Sequence, residues 1–378
     1  GMHPTLCPDE AIQHADAVVV GEAEGIWTRV VDDAMEGNPS GIYKADSPPD
    51  LTALKPLPRH LMRGGKYSTQ YAVQATRGCP NRCSFCSVSA FHKHKQLRRP
   101  VEQVIEEVKQ IPTRAFMFVD DNLTADRDYA KSLFEGLKPL GKFWITQSTL
   151  GITDDLQFVK LAADEGCIGS FVGLETFSDT NLDKVEKEFH RVNEYRERIR
   201  ILHSYGIGVE AGIVFGFEGD DPTVFRKTLS LLDQLEVDAI QVSIFTPLPG
   251  TAQYETMQNR IVDRDWTHYD FHHVVFKHRS MSGEELQAGH DWVTNRFYRP
   301  WRILRRLARW VTRPRGFATL PYAAAINFAY LGRVIRFGFK GWDPAKSSTK
   351  TKRGAVQTTG HAPGSYLTAM QERRCQLS

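Results

Sequence analysis

The chain has 378 residues, 25% of them charged and 41% hydrophobic, and its 48 basic residues nearly balance its 45 acidic ones. This composition is typical of a globular protein and excludes collagen-like, coiled-coil and disordered chains. Six cysteines are too few for a disulfide scaffold, so we expect a reducing compartment, where cysteines more often serve metal binding or catalysis. The absence of a signal peptide and of a membrane-spanning apolar run predicts a cytoplasmic protein.

The first 37 residues are typical of the end of an α/β domain. Residues 14–22 form an apolar run that ends in a Gly-Glu turn, which predicts one parallel strand, and a helix is expected to follow as far as about Met35. One strand and one helix cannot bury a core alone, so we interpret residues 1–37 as the remnant of a larger domain. Residues 38–67 are rich in proline and glycine without a hydrophobic period, which predicts a linker.

Residues 68–279 alternate short apolar runs with amphipathic helical patterns. Six runs predict strands that are buried on both faces, at residues 71–76, 115–119, 143–147, 168–174, 208–215 and 239–245. Helices are predicted between them, for example at residues 101–111, 179–205 and 222–235. Because six units fall short of the eight of a closed barrel, we predict an α/β fold with an open, partial (β/α)6 barrel. In such sheets the chemistry lies at the carboxyl ends of the strands.

Residues 280–342 predict a basic helical extension, and residues 343–378 a disordered tail. Residues 292–342 contain eleven basic residues and no acidic one, so the body of the chain is net acidic. One stripe of a predicted helix consists of Trp301, Leu304, Leu307 and Val311, and another of Arg302, Arg306, Arg309 and Arg313. Either the extension contacts an anionic partner, such as a membrane surface, or its arginines pack over the acidic body. The alternative for the apolar stripe is that it covers the open side of the barrel.

Three cysteines follow the first predicted barrel strand at spacing C-x3-C-x2-C: Cys79, Cys83 and Cys86. Thiolates select zinc, copper(I) or an iron–sulfur cluster. A structural zinc ion or an ordinary electron-transfer cluster uses four protein ligands, so three cysteines leave one metal position open for a small molecule. This favours a four-iron cluster. The alternatives are a zinc site completed by His92 or His94, a disulfide with one spare thiol, and three unrelated buried cysteines.

The triplet, with Phe85 before its last cysteine, resembles the C-x3-C-x-aromatic-C signature of the radical S-adenosylmethionine (SAM) enzymes, and the resemblance covers about residues 71–254. It implies a partial barrel that carries a [4Fe-4S] cluster on Cys79, Cys83 and Cys86, with SAM chelating the fourth iron. Reduction then cleaves SAM to methionine and a 5′-deoxyadenosyl radical. The resemblance also implies a reducing partner such as flavodoxin or ferredoxin.

Further expected SAM contacts lie at the strand ends. Asp120 stands where the family contacts the amino group of SAM, although the family's usual residues there are Gly-Gly-Glu; the alternative is that Asp121 or Asn122 caps a helix. Gln147 ends the third strand, and Glu175 ends the fourth, where the family binds ribose; the alternative for Glu175 is an ion pair inside the barrel. The adenine contact is expected at Val214 and Gly216, in Gly212-Ile-Val-Phe-Gly216. With Phe85, these residues form the predicted cofactor-binding set.

Residues 1–11 and 19–24 resemble the second half of the cobalamin-binding, Rossmann-like domain that precedes the barrel in one branch of the superfamily. That branch includes corrinoid-dependent methyltransferases, hopanoid methylases and anaerobic oxidative cyclases. Its cobalt-binding Asp-x-His-x-x-Gly segment would lie upstream of Gly1. We therefore expect the chain to be a fragment, with cobalamin as a further candidate cofactor.

The resemblance implies a radical SAM enzyme that transfers a methyl group to an unactivated carbon, or performs a related radical modification, on a small-molecule or lipid-like substrate. One alternative is a methylthiotransferase acting on tRNA or protein, which shares the Pro-Leu-Pro-Gly-Thr turn at residues 247–251 but usually has three more cysteines upstream, where this chain has only Cys7. Another alternative is a non-catalytic iron–sulfur or zinc module. We expect no nucleic-acid partner, and peripheral contact with the inner membrane face through residues 292–342.

Overall fold

A computed structural model of the chain describes residues 1–39, 41–62, 71–187 and 189–337. The predicted tail at residues 343–378 lies outside the described residues, as do residues 63–67 of the predicted linker and residues 68–70 of the predicted barrel region. The described residues all belong to one compact unit, which spans residues 1–342.

The N-terminal segment forms a two-stranded parallel sheet with three helices. Strand β1 (Ala17–Val20) pairs with β2 (Gly41–Lys44), and the helices are α1 (Met2–Leu6), α2 (Pro8–Ala11) and α3 (Trp27–Met35). Ile26, Val30 and Tyr43 bury a small cluster of their own. Strand β2 lies in the segment that the sequence predicts to be linker. Of its four residues only Tyr43 is buried, so its apolar pattern is too weak to predict a strand.

The N-terminal segment contacts the barrel beside the cysteine loop. Arg77, which directly precedes that loop, forms ion pairs with Glu22 and Glu24. The indole N–H of Trp266 donates to the carboxylate of Glu10 at 2.5 Å. These contacts place the first strand and helices near the carboxyl ends of the barrel strands.

The barrel region contains strands β3 (Ala72–Val73), β4 (Thr76–Arg77), β5 (Leu97–Arg98), β6 (Ala115–Phe118), β7 (Phe143–Ser148), β8 (Cys167–Glu175), β9 (Gly208–Phe215) and β10 (Ala239–Ile244). Six of them form one parallel sheet in the order β3-β6-β7-β8-β9-β10, and β4 pairs with β5 in a separate antiparallel ribbon. The predicted open, six-stranded α/β barrel is therefore confirmed. The first predicted strand, at residues 71–76, is divided into β3 and β4.

Helices cover the outside of the sheet: α4 (Ser87–His92), α5 (Val101–Lys109), α6 (Arg127–Leu137), α7 (Leu156–Asp164), α8 (Asp179–Lys184), α9 (Tyr195–Ser204), α10 (Val224–Leu235) and α11 (Ala252–Met257). Their apolar faces and the strands bury one core that runs through the whole barrel. The single helix predicted at residues 179–205 was wrong, because the chain leaves the helical path after α8. Glu186 has a positive φ of 56°, and the following turn buries Lys187 and His190 against the sheet.

The C-terminal extension consists of α12 (Gly283–Phe297), α13 (Pro300–Trp310) and α14 (Gly316–Phe337). Helix α12 packs along β10, the last strand of the open sheet, and hydrogen bonds from this helix region satisfy its free edge. The hydroxyl of Tyr298 donates to the carbonyl of Ile240 at 2.6 Å and accepts from the N–H of the same residue at 2.9 Å. The extension thereby protects an edge that would otherwise pair with other chains.

Helix α14 lies over the amino-terminal ends of β8 to β10. The hydroxyl of Thr319 donates to the carbonyl of Gly206, and the amide of Asn327 donates to the carbonyl of Asp238. The indole N–H of Trp310 donates to the carboxylate of Asp238 at 2.7 Å. The two last helices therefore cover the end of the sheet opposite the cysteine loop.

Most arginines of α13 and of the turn after it face the acidic body. The paired residues are Arg302 with Asp233, Arg309 and Arg313 with Glu236, and Arg315 with Asp164. Arg306 is buried and donates to Asn327 and to the carbonyl of Phe297. These arginines therefore follow the alternative in which the basic extension packs over the acidic body of the same chain. Among the described residues no helix is long and apolar enough to cross a membrane.

Candidate metal centre and cofactor site

The cysteine loop at residues 78–86 follows β4 and is fixed at several points. Gly78 has a φ of +84°, and a Cβ at this position would lie 2.3 Å from the carbonyl oxygen of Lys95, so only glycine fits. Its N–H donates to the carboxylate of Asp121 at 2.9 Å. Farther along the loop, the N–H of Ser84 donates to the carbonyl of Val185, and its carbonyl accepts from the N–H of Gln253. The loop is therefore fixed to the ends of β6, of α8 and of α11.

Cys79, Cys83 and Cys86 are free thiols and are half-buried in this loop. Among the described residues they do not form a set of ligand atoms that all lie within 4.8 Å of one another. Thiolates bound to a single zinc ion at about 2.3 Å would lie about 4 Å apart, so the three sulfurs are too widely spaced for one ion.

Neither histidine considered for a zinc site completes one with these cysteines among the described residues. His92 lies 3.8 Å from the carboxylate of Glu22, and His94 contacts the carbonyl of Asn81. Burial raises the pKa of Cys79, and it raises the pKa of Cys83 to about 12. Without a bound cation these two thiols stay protonated at neutral pH, and a metal centre that binds them displaces their protons.

Phe85 lies between the loop and the ends of the last two strands. Its ring centroid is 6.5 Å from that of Phe217, which follows β9, and 6.4 Å from that of Phe245, which follows β10. The structure therefore brings Phe85 close to the loop that contains Gly216, the residue predicted to contact adenine.

Asp120, the residue predicted to contact the amino group of SAM, is hydrogen-bonded within the protein. Its carboxylate is fully buried and accepts hydrogen bonds from the N–H of Ala75, at 3.1 Å, and from the N–H and hydroxyl of Thr76. Burial raises the pKa of this carboxyl to about 6. Oδ1 accepts all three of these bonds and Oδ2 shares only the N–H of Ala75, at 3.3 Å, and the contact with the amino group of SAM stays a prediction.

The alternative for this segment, a helix cap by Asp121 or Asn122, was wrong. Helix α6 is capped by Asp126, whose carboxylate accepts from the N–H of Tyr129. Asp121 binds the cysteine loop through Gly78, and the side-chain amide of Asn122 lies 3.8 Å from the sulfur of Cys79. Asn122 is therefore a neighbour of the metal centre that the sequence analysis did not select.

Gln147 and Glu175 end neighbouring strands at the same edge of the sheet. Gln147 is half-buried near the end of β7, and its carbonyl accepts from the N–H of Leu123. Glu175 has a φ of +63°, at a point where the register between β8 and β9 shifts. A non-glycine residue in this conformation is strained, and such residues cluster at functional sites.

The carboxylate of Glu175 forms an ion pair with Lys187 at 2.5 Å. This pair is the alternative that the sequence analysis gave for Glu175, and the ribose contact stays a prediction. The pair crosses over Gly173, where a Cβ would lie 2.3 Å from the carboxylate and 2.9 Å from the ammonium group. Gly173 therefore provides the space in which the pair forms.

Lys187 is a second residue near the centre that the sequence did not reveal. Its side chain is only 8% exposed. Burial raises the pKa of Cys83, and the positive charge of Lys187 lowers it. The sequence places Lys187 within a run of charged residues, at a position predicted to be helical. Only the turn after α8 brings it to the cysteine loop.

Val214 and Gly216 lie at the end of β9. Val214 is half-buried, and Gly216 has a φ of +102°, with its N–H donating to the carboxylate of Asp220 at 3.0 Å. Asp220 also accepts from the N–H of Phe217 and from the amide of Asn181. The buried Asp220 carboxylate thus shapes the loop expected to contact adenine.

Asp220→Asn is expected to change the pH dependence of stability. Burial raises the pKa of Asp220 to about 6, so the stability associated with its protonation is present at low pH and is lost as the pH rises through 6. The loss is about 3 kcal/mol between about pH 4 and pH 7. In the variant, the new amide has an acceptor in the buried Oδ1 of Asn181, which otherwise has no partner among the described residues.

Urea unfolding from about pH 4 to pH 7 measures this effect as the difference between variant and wild type. We expect the variant to gain stability relative to the wild type as the pH rises. Asp221→Asn is a matched control, because that carboxylate is exposed and its pKa is lowered by its hydrogen bonds with Thr223. A difference that does not vary with pH would contradict the assignment.

The inner face of the sheet is accessible beside this edge. Glu210 and Ala239 on this face are buried, but six other side chains of the inner face of β7 to β10 are half-buried or exposed: Gln147, Phe171, Glu175, Val214, Gln241 and Ser243. Gln241 is exposed in the middle of β10. A concave surface that combines aromatic, aliphatic and polar side chains next to the cysteine loop can hold an organic substrate.

The family model of the radical SAM superfamily matches residues 73–232, which include the cysteine loop and β3 to β9. Residues 73–232 thus form a radical SAM domain. This family uses a [4Fe-4S] cluster and SAM, and the chain is of this enzyme type. Three free cysteines in one loop at the carboxyl edge of the sheet fit such a cluster, because three protein ligands leave one metal position open.

Curated relatives with this domain include methyltransferases and cyclases. Bacteriochlorophyllide d C-12(1)-methyltransferase of Chlorobaculum tepidum is 28% identical over 81% of this chain and 70% of its own length. Hopanoid C-2 methylase of Rhodopseudomonas palustris is 25% identical over 70% of this chain, which spans about half of that protein, 53%. Anaerobic magnesium-protoporphyrin IX monomethyl ester cyclase of Cereibacter sphaeroides is 25% identical over 60% of this chain and 39% of its own length.

Two solved structures share the fold. The cobalamin-dependent radical SAM enzyme OxsB, with aqua-cobalamin and SAM bound, superimposes with a TM-score of 0.57 at 13% identity, over 89% of this chain and 59% of OxsB. The radical SAM methyltransferase TsrM of Kitasatospora setae, with tryptophan and a SAM analogue bound, gives a TM-score of 0.55 at 16% identity, over 68% of this chain and 57% of TsrM. At this identity the likeness shows the fold alone.

Proposed function

We propose that the chain is the radical SAM part of an enzyme that methylates an unactivated carbon of an organic substrate. Cys79, Cys83 and Cys86 would hold the [4Fe-4S] cluster, which together with SAM supplies a 5′-deoxyadenosyl radical when an electron arrives from a flavodoxin or ferredoxin. The observation that carries the proposal is the three-cysteine loop, fixed at the carboxyl edge of the partial barrel beside an accessible inner face. Methyl transfer is supported by the methyltransferases among the relatives.

The chain's own residues would orient SAM and the substrate. Phe85 and the loop at Gly216 would contact adenine, and Val214 would contribute an apolar surface beside them. Gln147 and Glu175 would provide polar contacts at the ends of β7 and β8. Gln241 and Ser243 are the polar side chains of β10 that face a substrate on the inner face.

Cobalamin is part of this proposal as the second cofactor. The sheet of β1 and β2 with α3 supports it, because this unit lies beside the cysteine loop, where a methyl-carrying cofactor would have to reach the substrate. The fold of the cobalamin-dependent enzyme OxsB adds support. Contact with a membrane through residues 292–342 is independent of this chemistry, because α13 and α14 lie at the opposite end of the barrel.

The test is anaerobic reconstitution with iron and sulfide, followed by dithionite and SAM, with 5′-deoxyadenosine as the product measured. Its formation supports the radical reaction, and a further yield of S-adenosylhomocysteine when cobalamin is added supports methyl transfer. A protein that holds four irons but forms no 5′-deoxyadenosine would instead be an electron-transfer module. Zinc in place of iron would overturn the proposal, as would a second iron–sulfur cluster, which the methylthiotransferase alternative requires.

A further inference from the structure

Helix α13 exposes a continuous apolar face. Trp301, Leu304 and Val311 are 53%, 64% and 71% exposed, and Ala308 is exposed between them. Their spacing of three and four residues places them on one side of the helix. We call these four residues the outer face of α13. The opposite side, formed by Ile303, Arg306 and Trp310, is buried against the barrel.

The orientation of α13 reverses the usual arrangement of an amphipathic helix, whose apolar stripe normally packs on the core. Here the arginine stripe packs on the protein, because Asp233 and Glu236 provide ion pairs for Arg302 and Arg313. The aromatic ring of Phe297 lies 3.9 Å from the guanidinium group of Arg306 and covers it. The helix is therefore fixed with its apolar stripe in the solvent.

The segment that carries the outer face is basic. Residues 292–337 contain no aspartate or glutamate. Arg299 and Arg305 are exposed, and neither forms an ion pair with any residue that the structure describes. Arg305 therefore adjoins Trp301 at the margin of the apolar face, and Arg299 directly precedes the helix.

Helix α14 exposes a second apolar stripe. Phe317, Phe328 and Ile335 are 95%, 54% and 71% exposed. They are separated by eleven and seven residues, which are close to whole numbers of helical turns, so they share one face of the helix. Two successive helices of the extension thus keep large apolar side chains in water, at a cost that a binding partner would remove.

We propose that the outer face of α13 binds the surface of an anionic membrane. Tryptophan, leucine and valine enter the boundary between headgroups and acyl chains, and Arg299 and Arg305 contact the lipid phosphates. The charge argues for this partner, because the nearby carboxylates of Asp233 and Glu236 are already paired with arginines of the extension, which leaves the positive charges of Arg299 and Arg305 to interact with anionic lipid. Binding is peripheral, since none of the described helices can cross the membrane. This inference does not depend on the proposed methylation.

Co-sedimentation of the full chain with vesicles tests the proposal. We compare vesicles of phosphatidylcholine alone with vesicles that contain about 25% phosphatidylglycerol, and expect binding to the anionic vesicles only. Trp301→Ser/Leu304→Ser is expected to weaken this binding about tenfold or more, because it removes the two largest apolar side chains of the outer face. The matched control is Met35→Ser/Val262→Ser, which removes two exposed apolar side chains elsewhere and should bind like the wild type.

The charge is tested separately. Arg299→Gln/Arg305→Gln is expected to weaken binding to anionic vesicles about tenfold at low salt. The control Arg114→Gln/Arg196→Gln lowers the net charge equally, at exposed residues distant in sequence, and should leave binding unchanged. All four variants keep residues 338–378, so the basic tail contributes equally to each. Circular dichroism and thermal unfolding confirm that each variant folds, as expected for changes at exposed side chains.

Three results would overturn the proposal. The first is equal binding to neutral and anionic vesicles, and the second is unchanged binding of both outer-face variants. The third is a dimer, measured by light scattering after size-exclusion chromatography, that Trp301→Ser/Leu304→Ser dissociates while vesicle binding is absent. In that case the outer face of α13 would be an interface between two copies of the chain.

Discussion

Cys79→Ala is expected to abolish iron binding and SAM cleavage together. In the proposed site this substitution leaves the cluster with two of its three ligands, and no group of three close cysteine, histidine or acidic ligand atoms among the described residues includes a cysteine of the loop. After anaerobic reconstitution, the iron content should fall from about four per chain to below one, and 5′-deoxyadenosine formation should fall by at least about 100-fold. Iron analysis, the visible absorption of the cluster and chromatography of the products measure this.

Cys167→Ala is the matched control for this variant. Cys167 is a free thiol at the start of β8, fully buried in the core, and its sulfur contacts the carbonyl of Gly169. The substitution should cost about 1 kcal/mol of stability and leave the iron content unchanged. Undiminished 5′-deoxyadenosine formation by Cys79→Ala would exclude Cys79 as a ligand. Equal loss of iron in both variants would show that general unfolding, rather than ligand removal, is measured.

The five later strands of the barrel could be predicted within one residue at each end, because strands buried on both faces are continuous apolar runs. Two elements escaped prediction for opposite reasons. Strand β2 buries only Tyr43 and therefore has too weak a pattern. The segment after α8 has a helical period but turns away from the helix, because Lys187 and His190 are buried at the sheet. Strand β2 was missed because the sequence lacks a local signal there. The segment after α8 was mispredicted because tertiary contacts outweigh its local helical preference.

In the candidate site, too, features that are local in sequence could be predicted, whereas contacts between distant residues could not. Spacing alone placed three thiols in one loop, since residues so close in sequence must be close in space. The environment of Asp120 could not be predicted in this way, because its partner Thr76 is 44 residues away in the chain. The same holds for the ammonium group of Lys187, and for Asn122 at the sulfur of Cys79. The charge asymmetry of the extension indicated a role for its arginines, but only the structure shows that their ion pairs leave the apolar stripe exposed.

Lys187→Met is expected to destabilise the fold by about 3 kcal/mol, because it leaves the carboxylate of Glu175 buried without a cation. The double variant Lys187→Met/Glu175→Gln removes both charges and should recover most of this loss. Urea unfolding of the two single variants, the double variant and the wild type gives the coupling energy of the pair. Lys187→Arg keeps the charge and is the conservative control, although its larger head group must fit over Gly173.

The same substitution tests what the lysine does beside the metal centre. Its ammonium group lowers the pKa of Cys83, in opposition to the effect of burial. The electric field of Lys187 therefore reaches the loop that would hold the cluster. A positive charge favours the state that has gained an electron, and its removal should lower the reduction potential of the reconstituted cluster by about 50–100 mV. A dithionite titration followed by electron paramagnetic resonance measures the shift. If Lys187→Met lowers stability but leaves the potential unchanged, then the lysine serves only to neutralise Glu175, and the strained turn at the end of β8 holds an ion pair of structural importance alone.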